Sequence, residues 1–249
     1  MCARIHAAIV LVCATWCIPM PGQGCAIPVF RYALERWVPD LYPVQVFHRG
    51  PLPSARQDAL SVLGGSGPVP INVRLDIRTR DLPAELDPFL ARGPVISVLP
   101  PAGHSDGSPI WFGPLSETVL ERMAGSPART VIEQRILAGE TAVFVQLGTG
   151  DVGLDAQVHA QVDEALKHAE QTLDLTNFAE AAGRNVASMV PPSAPPLQVA
   201  FSSLSVARDD PAELFLVAPI LRALPAPVPP GVPVVVPVFA RGRALPPLV

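Results

Sequence analysis

The glycine-rich segment at residues 148–153 (GTGDVG) carries the most specific chemical pattern in this chain of 249 residues. Gly148, Gly150 and Gly153 have the spacing G-x-G-x-x-G between a predicted strand and a predicted helix, which is the context of a loop that binds the pyrophosphate of a dinucleotide. Asp151 argues against that interpretation, because its carboxylate would repel a pyrophosphate. The three glycines are therefore candidate ligand contacts, and the alternative is a glycine-rich surface turn.

A second candidate contact lies at His48 and Arg49, which follow a predicted strand and precede a predicted helix. The carboxyl ends of strands are where α/β sheets place their ligands. Arg49, together with the N-terminus of the next helix, could contact an anion or a protein partner. The alternative is a turn that carries two polar surface residues.

The remaining polar residues indicate no catalytic or metal site. His104 and Asp106 lie in one loop, but two ligands are too few for a metal. His159 and His168 share a helical face only loosely, and no serine lies in a G-x-S-x-G motif. A catalytic pair of carboxylates is not indicated, because the sequence places no two of the acidic residues in one cleft. This holds for Glu133, Glu140, Asp163 and Glu164. We therefore assign no catalytic residue, no metal and no cofactor.

Composition restricts the class of protein. The hydrophobic fraction is 49%, so the chain can bury a sizeable core, and the charged fraction is only 16%. The formal net charge of −4 argues against a nucleic-acid partner, because neutralising phosphates needs a basic surface. No run of 18 or more apolar residues occurs, which excludes a membrane-spanning protein.

The first 24 residues are typical of an export signal. Arg4 supplies a positive charge, residues 7–20 form an uncharged apolar run, and Gly22 and Gly24 flank a cleavage site before Cys25. We therefore predict a signal peptide at residues 1–24 and a location in the periplasm or cell envelope. The site is similar to a lipoprotein signal, although Gly22 stands where leucine or a similar residue is usual. Cys25 is then either the lipid attachment site or a free or buried cysteine.

Cleavage at this position would leave the mature chain a single cysteine. The four cysteines are Cys2, Cys13, Cys17 and Cys25, and three of them lie in the predicted signal. Neither an intramolecular disulfide nor a zinc site made of cysteines can then form.

Predicted strands and helices alternate along the rest of the chain. In the first series, strands are predicted at residues 42–47, 71–77, 94–99 and 109–112, and helices at residues 54–63, 82–90, 116–123 and 127–137. In the second series, strands are predicted at residues 141–147, 198–206 and 232–239, with helices at residues 154–175 and 210–224 and a final short strand after residue 243. The predicted helix caps are Ser54, Ser116, Ser126 and either Asp209 or Asp210. The alternation around Val73 and Leu75 predicts a central strand.

This order of elements predicts an α/β fold made of two tandem thioredoxin-like halves. The first half covers residues 25–138 and the second residues 139–249, with a junction near Gly139 and without a last helix in the second half. One continuous doubly wound sheet is the alternative. The absence of that last helix would also fit a truncated product.

Thiol–disulfide exchange is not expected of either half. A thioredoxin-type enzyme needs a cysteine pair after its first strand, where the helix N-terminus lowers a thiol pKa. The corresponding loops are residues 48–53 (HRGPLP) and 148–151 (GTGD), and neither contains cysteine.

Several segments resemble a family of uncharacterised exported bacterial proteins. They are residues 25–37 (CAIPVFRYALERW), 46–50 (VFHRG), 111–116 (WFGPLS), 126–129 (SPAR), 137–140 (LAGE) and 237–245 (PVFARGRAL). The resemblance extends over most of the mature chain. It implies export but no reaction, because the family has no assigned activity.

Two functions from different classes follow. The first is a non-catalytic exported module, lipid-anchored at Cys25 or free, that binds another envelope protein and touches the membrane only through such a lipid. The alternative is an α/β enzyme that binds a nucleotide or another small ligand at residues 148–153.

Overall fold

The computed structural model describes residues 33–34, 36–66, 72–101, 107–173 and 199–249, which form two separate four-stranded mixed sheets. The prediction of an α/β fold is therefore confirmed at the level of class. The described residues do not form the single continuous sheet that was the alternative. The predicted signal peptide, Cys25, His104 and Asp106 lie outside the described residues.

The first sheet has the spatial order β2-β1-β3-β4. Its strands are β1 (Tyr42–Phe47), β2 (Val73–Arg78), β3 (Val95–Val98) and β4 (Trp111–Pro114). Strands β1 and β2 are parallel, whereas β3 is antiparallel to both of its neighbours.

The second sheet repeats this arrangement with the order β6-β5-β7-β8. Its strands are β5 (Ala142–Leu147), β6 (Phe201–Val206), β7 (Val234–Phe239) and β8 (Arg243–Ala244). Again the first two are parallel and the third is antiparallel to its neighbours. The strands predicted at residues 141–147 and 198–206 thus pair with each other, as β5 and β6.

The prediction that Val73 and Leu75 lie in a central strand is wrong. Among the described strands, β2 pairs only with β1 and forms the edge of the first sheet, and β1 lies between β2 and β3. The burial pattern gives the physical reason, because Val44 and Val46 of β1 are fully buried whereas one face of β2 is exposed. Alternation marks a strand that is covered on one face, and it does not distinguish a centre from an edge.

Helices connect the strands and cover the sheets. They are α1 (Ser54–Ser61), α2 (Asp87–Leu90), α3 (Glu117–Ala124), α4 (Pro127–Leu137), α5 (Val152–Thr172) and α6 (Leu214–Arg222). A π-helical turn at Val62–Ser66 extends α1, and short 3₁₀ turns at Ala84–Leu86 and Pro211–Glu213 precede α2 and α6. None of the helices within the described residues combines the length and apolarity needed to cross a membrane.

Three of the four predicted helix caps are confirmed. Each of these caps has a side-chain oxygen just before the first turn of its helix, and that oxygen accepts a hydrogen bond from a backbone N–H of the turn. The pairs are Ser116 with Val119, Ser126 with Arg129, and Asp210 with Ala212 in the 3₁₀ turn before α6. The predicted cap at Ser54 is wrong. Pro53 occupies the N-cap position and makes no side-chain hydrogen bond, so Ser54 is already the first helical residue.

Each sheet has its own apolar core. The first core is built from β1, β3, α1 and α3, with Ile96, Leu60 and Leu120 among its buried residues. The second core is built from β5, β7, α4 and α6, with Val145 and Val236 fully or almost fully buried. The ring of Phe215 at the start of α6 packs edge-on against Trp111, with 5.6 Å between ring centroids, and so joins the first core to the second half.

Helix α4 packs with the second sheet. The helix precedes Gly139, the predicted junction, so the predicted boundary places it in the first half. Its buried residues Ala128, Ile132 and Ile136 nevertheless pack in one cluster with Val143 of β5. By its contacts this helix belongs to the second core.

Candidate functional site

In the loop after β1, the side chains of His48 and Arg49 are both bonded to other groups of the chain. The Nδ1–H of His48 donates to the carbonyl of Gly50 over 2.6 Å. The guanidinium of Arg49 pairs with the carboxylate of Asp87, at the start of α2, and both side chains are about half exposed. Because Arg49 already has a carboxylate partner, its charge is partly neutralised for an external anion.

His48 also lines an open pocket of about 510 Å³ between α1 and β2. The walls are mostly apolar and include Leu52, Leu60, Leu75 and Ile77. This volume lies in the range of about 300–1,000 Å³ that is typical of ligand pockets. His48 was a predicted contact residue, whereas the pocket could not be predicted, because its walls come from segments that only the tertiary structure brings together.

In the loop after β5, two carboxylates accept hydrogen bonds from the backbone of the turn. Asp151 caps α5, and its Oδ1 accepts from the N–H of Gly153 over 2.8 Å and from that of Leu154 over 3.0 Å. Asp155 Oδ1 accepts from both the N–H and the hydroxyl of Thr149, each over 2.8 Å. Three amides that a pyrophosphate could use at this turn, those of Thr149, Gly153 and Leu154, are thus already bonded to carboxylates.

The electrostatics of this turn agree with that description. The hydrogen bond from the Thr149 N–H holds the pKa of the Asp155 carboxyl below its ordinary value, and the Thr149 hydroxyl and the charge of Arg208 act in the same direction against a raising effect of burial. Gly148 has little room, because a Cβ there would lie 3.2 Å from Asp155 Oδ2. Gly150 has a φ of 92°, which a glycine adopts without strain. The glycines therefore serve the geometry of the turn itself.

A cluster of serine, histidine and aspartate lies between α5 and β6, and sequence analysis did not predict it. Ser203 donates its hydroxyl proton to Asp163 Oδ1 over 2.5 Å. His159 Nδ1 and Nε2 lie 3.3 and 3.4 Å from the same Ser203 oxygen, and His159 Nε2 lies 3.7 Å from Asp163 Oδ2. The only sequence signal was the four-residue spacing of His159 and Asp163, which places them on one helical face.

This cluster does not have the geometry of an activated nucleophile. In such a site the histidine takes the serine proton and the carboxylate orients the histidine. Here Asp163 accepts directly from Ser203, and neither ring nitrogen of His159 is directed at the serine in preference to the other. The contacts describe a polar network that attaches α5 to the second sheet.

A buried carboxylate, also missed in the sequence, lies where the two halves meet. Glu213 is 3% exposed; its Oε2 accepts from the Ser126 hydroxyl over 2.6 Å and its Oε1 from the Ala128 N–H over 2.8 Å. Arg129 donates to Ser126 and to the carbonyl of Met123 at the end of α3. Burial lowers the pKa of the Arg129 guanidinium, and the charge of Glu213 offsets part of that effect. A negative group at the N-terminus of α4 is favourable, so the arrangement is structural.

No group of three or more histidine, cysteine or acidic side chains in the described part of the chain is arranged to hold a metal ion. Comparisons with protein-family models, with curated proteins and with solved structures found no match for the chain.

Proposed function

We propose that this chain is a non-catalytic exported module, made of two thioredoxin-like halves, that binds another protein of the cell envelope. The strand order supports the thioredoxin-like assignment. In both sheets the first strand lies between a parallel second strand and an antiparallel third strand, and the fourth strand pairs with the third. This is the order and direction of strands in the thioredoxin fold.

The non-catalytic assignment rests on the two loops that follow β1 and β5, which lack cysteine and whose charged side chains are already paired. Neither contains the cysteine pair of a thiol oxidoreductase. In the second loop Asp151 and Asp155 already accept from the turn's own amides. In the first, Arg49 is paired with Asp87. A thioredoxin-like chain that lacks these reactive groups would be suited to binding rather than to thiol chemistry.

Export rests on the amino-terminal sequence. Arg4, the apolar run at residues 7–20 and the small residues before Cys25 support secretion, with a lipid at Cys25 or a free N-terminus. The resemblance of residues 25–37 (CAIPVFRYALERW), and of five later segments, to uncharacterised exported bacterial proteins also supports export.

The competing function, a nucleotide- or small-ligand-binding enzyme that uses residues 148–153, has less support. An anion at this turn would have to displace the hydrogen bonds of Asp151 and meet the charge of Asp155. Desolvating two carboxylates next to a phosphate is unfavourable.

Two measurements test the proposal. Cross-linking in intact cells that express the full chain, followed by mass spectrometry, should yield reproducible links to one envelope protein. The melting temperature of the purified chain should not change with ATP, NAD⁺ or divalent cations. Reproducible stabilisation by a nucleotide, together with an absence of cross-linked partners, would favour the enzyme instead.

A further inference from the structure

We infer that the free edge of β2, with the pocket beside it, is a docking site for an extended peptide segment of the partner, with apolar residues at alternate positions and acidic residues between them. This inference rests on the proposed binding function and adds to it the place of contact and the chemistry of the partner.

Among the described residues, one edge of the β2 backbone has no pairing partner. Tyr42 donates its N–H to the carbonyl of Asn72, and His48 donates to that of Arg78, so the even-numbered residues of this strand face β1. The N–H and C=O groups of Val73, Leu75 and Ile77 therefore point away from β1. No described residue forms a strand or a side-chain hydrogen bond with them. Such an edge is a template for the addition of another strand.

The corresponding edge of the second sheet is covered by side chains. Val206 accepts from the Gly148 N–H, so the even-numbered residues of β6 face β5 and the odd-numbered ones face outward. The outward N–H of Phe201 donates to Glu170 Oε1 over 2.5 Å, and the outward carbonyl of Ser203 accepts from Arg135 Nη1 over 2.8 Å. Within the part of the chain that the structure describes, the same position in the fold is thus protected in one half and open in the other.

The open edge adjoins the apolar pocket. Leu75 and Ile77 lie on one face of β2 and form one wall of the pocket, while Leu60 and Gly64 belong to the opposite wall. Ile77 is 47% exposed. Because side chains alternate along a strand, every second residue of an added strand would lie on this face, next to Leu75 and Ile77. Apolar side chains at those positions would cover the apolar wall.

The other face of β2 indicates the charge of the partner. Arg74, Asp76 and Arg78 are exposed there, and Arg78 Nε donates to Asp76 Oδ2 over 2.8 Å. Arg74 has no ion pair among the described residues. It is thus an uncompensated positive charge on a chain whose net charge is −4. Opposite charges on neighbouring strands attract, so acidic residues at the intervening positions of the peptide fit this face.

The test uses the full chain and two fluorescein-labelled peptides, one alternating valine with glutamate and the other alternating valine with lysine. The valine–glutamate peptide should bind more tightly by fluorescence anisotropy and should slow amide hydrogen exchange in β2. Ile77→Lys should weaken this binding about tenfold or more, because one buried aliphatic contact is lost and a charge is placed at the pocket. Arg74→Glu should shift the preference towards the valine–lysine peptide.

Matched controls separate a local effect from a general one. Leu137→Lys changes an exposed leucine on α4, and Arg92→Glu changes an exposed arginine away from β2, so both should leave peptide binding unchanged. Circular dichroism establishes that each variant is folded. If Ile77→Lys alone fails to fold, Arg74→Glu still decides the question through the preference between the two peptides.

Three outcomes would overturn the inference. They are an absence of binding by either peptide, binding that Ile77→Lys and Arg74→Glu leave unchanged, and a dimer in analytical ultracentrifugation whose β2 amides are protected by a second copy of the chain. In each case cross-links to an envelope protein at another surface would leave the proposed function intact. The proposed function itself would fail by the nucleotide and cross-linking tests, which do not depend on β2.

Discussion

Glu213 accepts a hydrogen bond from the Ser126 hydroxyl although the two residues are 87 positions apart in the chain. Ser126 also caps α4 by accepting from the Arg129 N–H. One serine therefore ends the loop after α3, starts a helix of the second core and binds the carboxylate that precedes α6. The buried contact joins the N-terminus of α4 to the turn before α6, and both helices pack in the second core.

Glu213→Ala should lower the free energy of unfolding by about 1–3 kcal/mol, the cost of leaving buried hydrogen-bonding groups without a partner. Urea denaturation followed by circular dichroism measures the change. Glu117→Ala is the matched control, because Glu117 also lies in a first turn but is exposed. Equal effects of the two substitutions would show that the buried contact contributes nothing specific.

Asp155→Asn should reduce the dependence of stability on acid pH. The pKa of Asp155 is lower in the folded chain than its ordinary value of 3.8, so its contribution is present above that value and is lost as the pH falls through the folded pKa. Urea unfolding gives the free energy of unfolding at neutral pH and below pH of about 4. The difference between these two values should be smaller in the variant than in the parent chain. Asp58→Asn, at an exposed position on α1, removes the same charge and is the matched control; an effect as large as that of Asp155→Asn would contradict the prediction.

Leu60→Ala should destabilise the chain by about 2–5 kcal/mol, whereas Leu75→Ala should cost clearly less. Leu60 is 2% exposed in the first core, and Leu75 is only partly buried in the edge strand β2. Arg74→Ala, on the exposed face of the same strand, should change stability least. Chemical denaturation of the three variants gives the ranking, and a loss at Leu75 equal to that at Leu60 would contradict the edge position.

The purified chain should not accelerate the reduction of insulin disulfides by dithiothreitol. The reason is chemical, since a thiolate is the nucleophile in that exchange and neither first-strand loop contains cysteine. The turbidity assay for precipitated insulin chains measures the rate. Catalysed turnover would mean that a cysteine near the N-terminus reacts, and Cys25→Ser would then abolish it.

The exported chain should begin at Cys25. Mass spectrometry of the protein from the cell envelope determines the N-terminus, and labelling with a fatty-acid analogue determines whether Cys25 carries lipid. Cys25→Ser should abolish labelling, whereas Cys17→Ser, inside the predicted signal, should not. A mature protein that still begins at Met1 would contradict the signal peptide.

Much of the local structure could be predicted from the sequence. Strand β1 has the predicted bounds, and Ser116, Ser126 and Asp210 cap their helices as expected. These features depend on contacts within one turn or on the alternation within one strand, and therefore on residues that are close in sequence. The failed cap at Ser54 shows the limit, because the residue before it, Pro53, already occupied the N-cap position.

Only the tertiary structure decided how these elements are arranged. An alternating strand such as β2 fits either the centre or the edge of a sheet. Its place was decided by β1, which pairs with both β2 and β3 and whose Val44 and Val46 are fully buried. The contact of Ser126 with Glu213 and that of Ser203 with Asp163 join residues distant in sequence, and no local pattern encodes them. The sequence alone determined the composition, the lack of cysteines after β1 and β5, and the order of strands and helices. Packing of the two cores determined which edge stays open and which carboxylates are buried, since apolar burial depends on the whole chain at once.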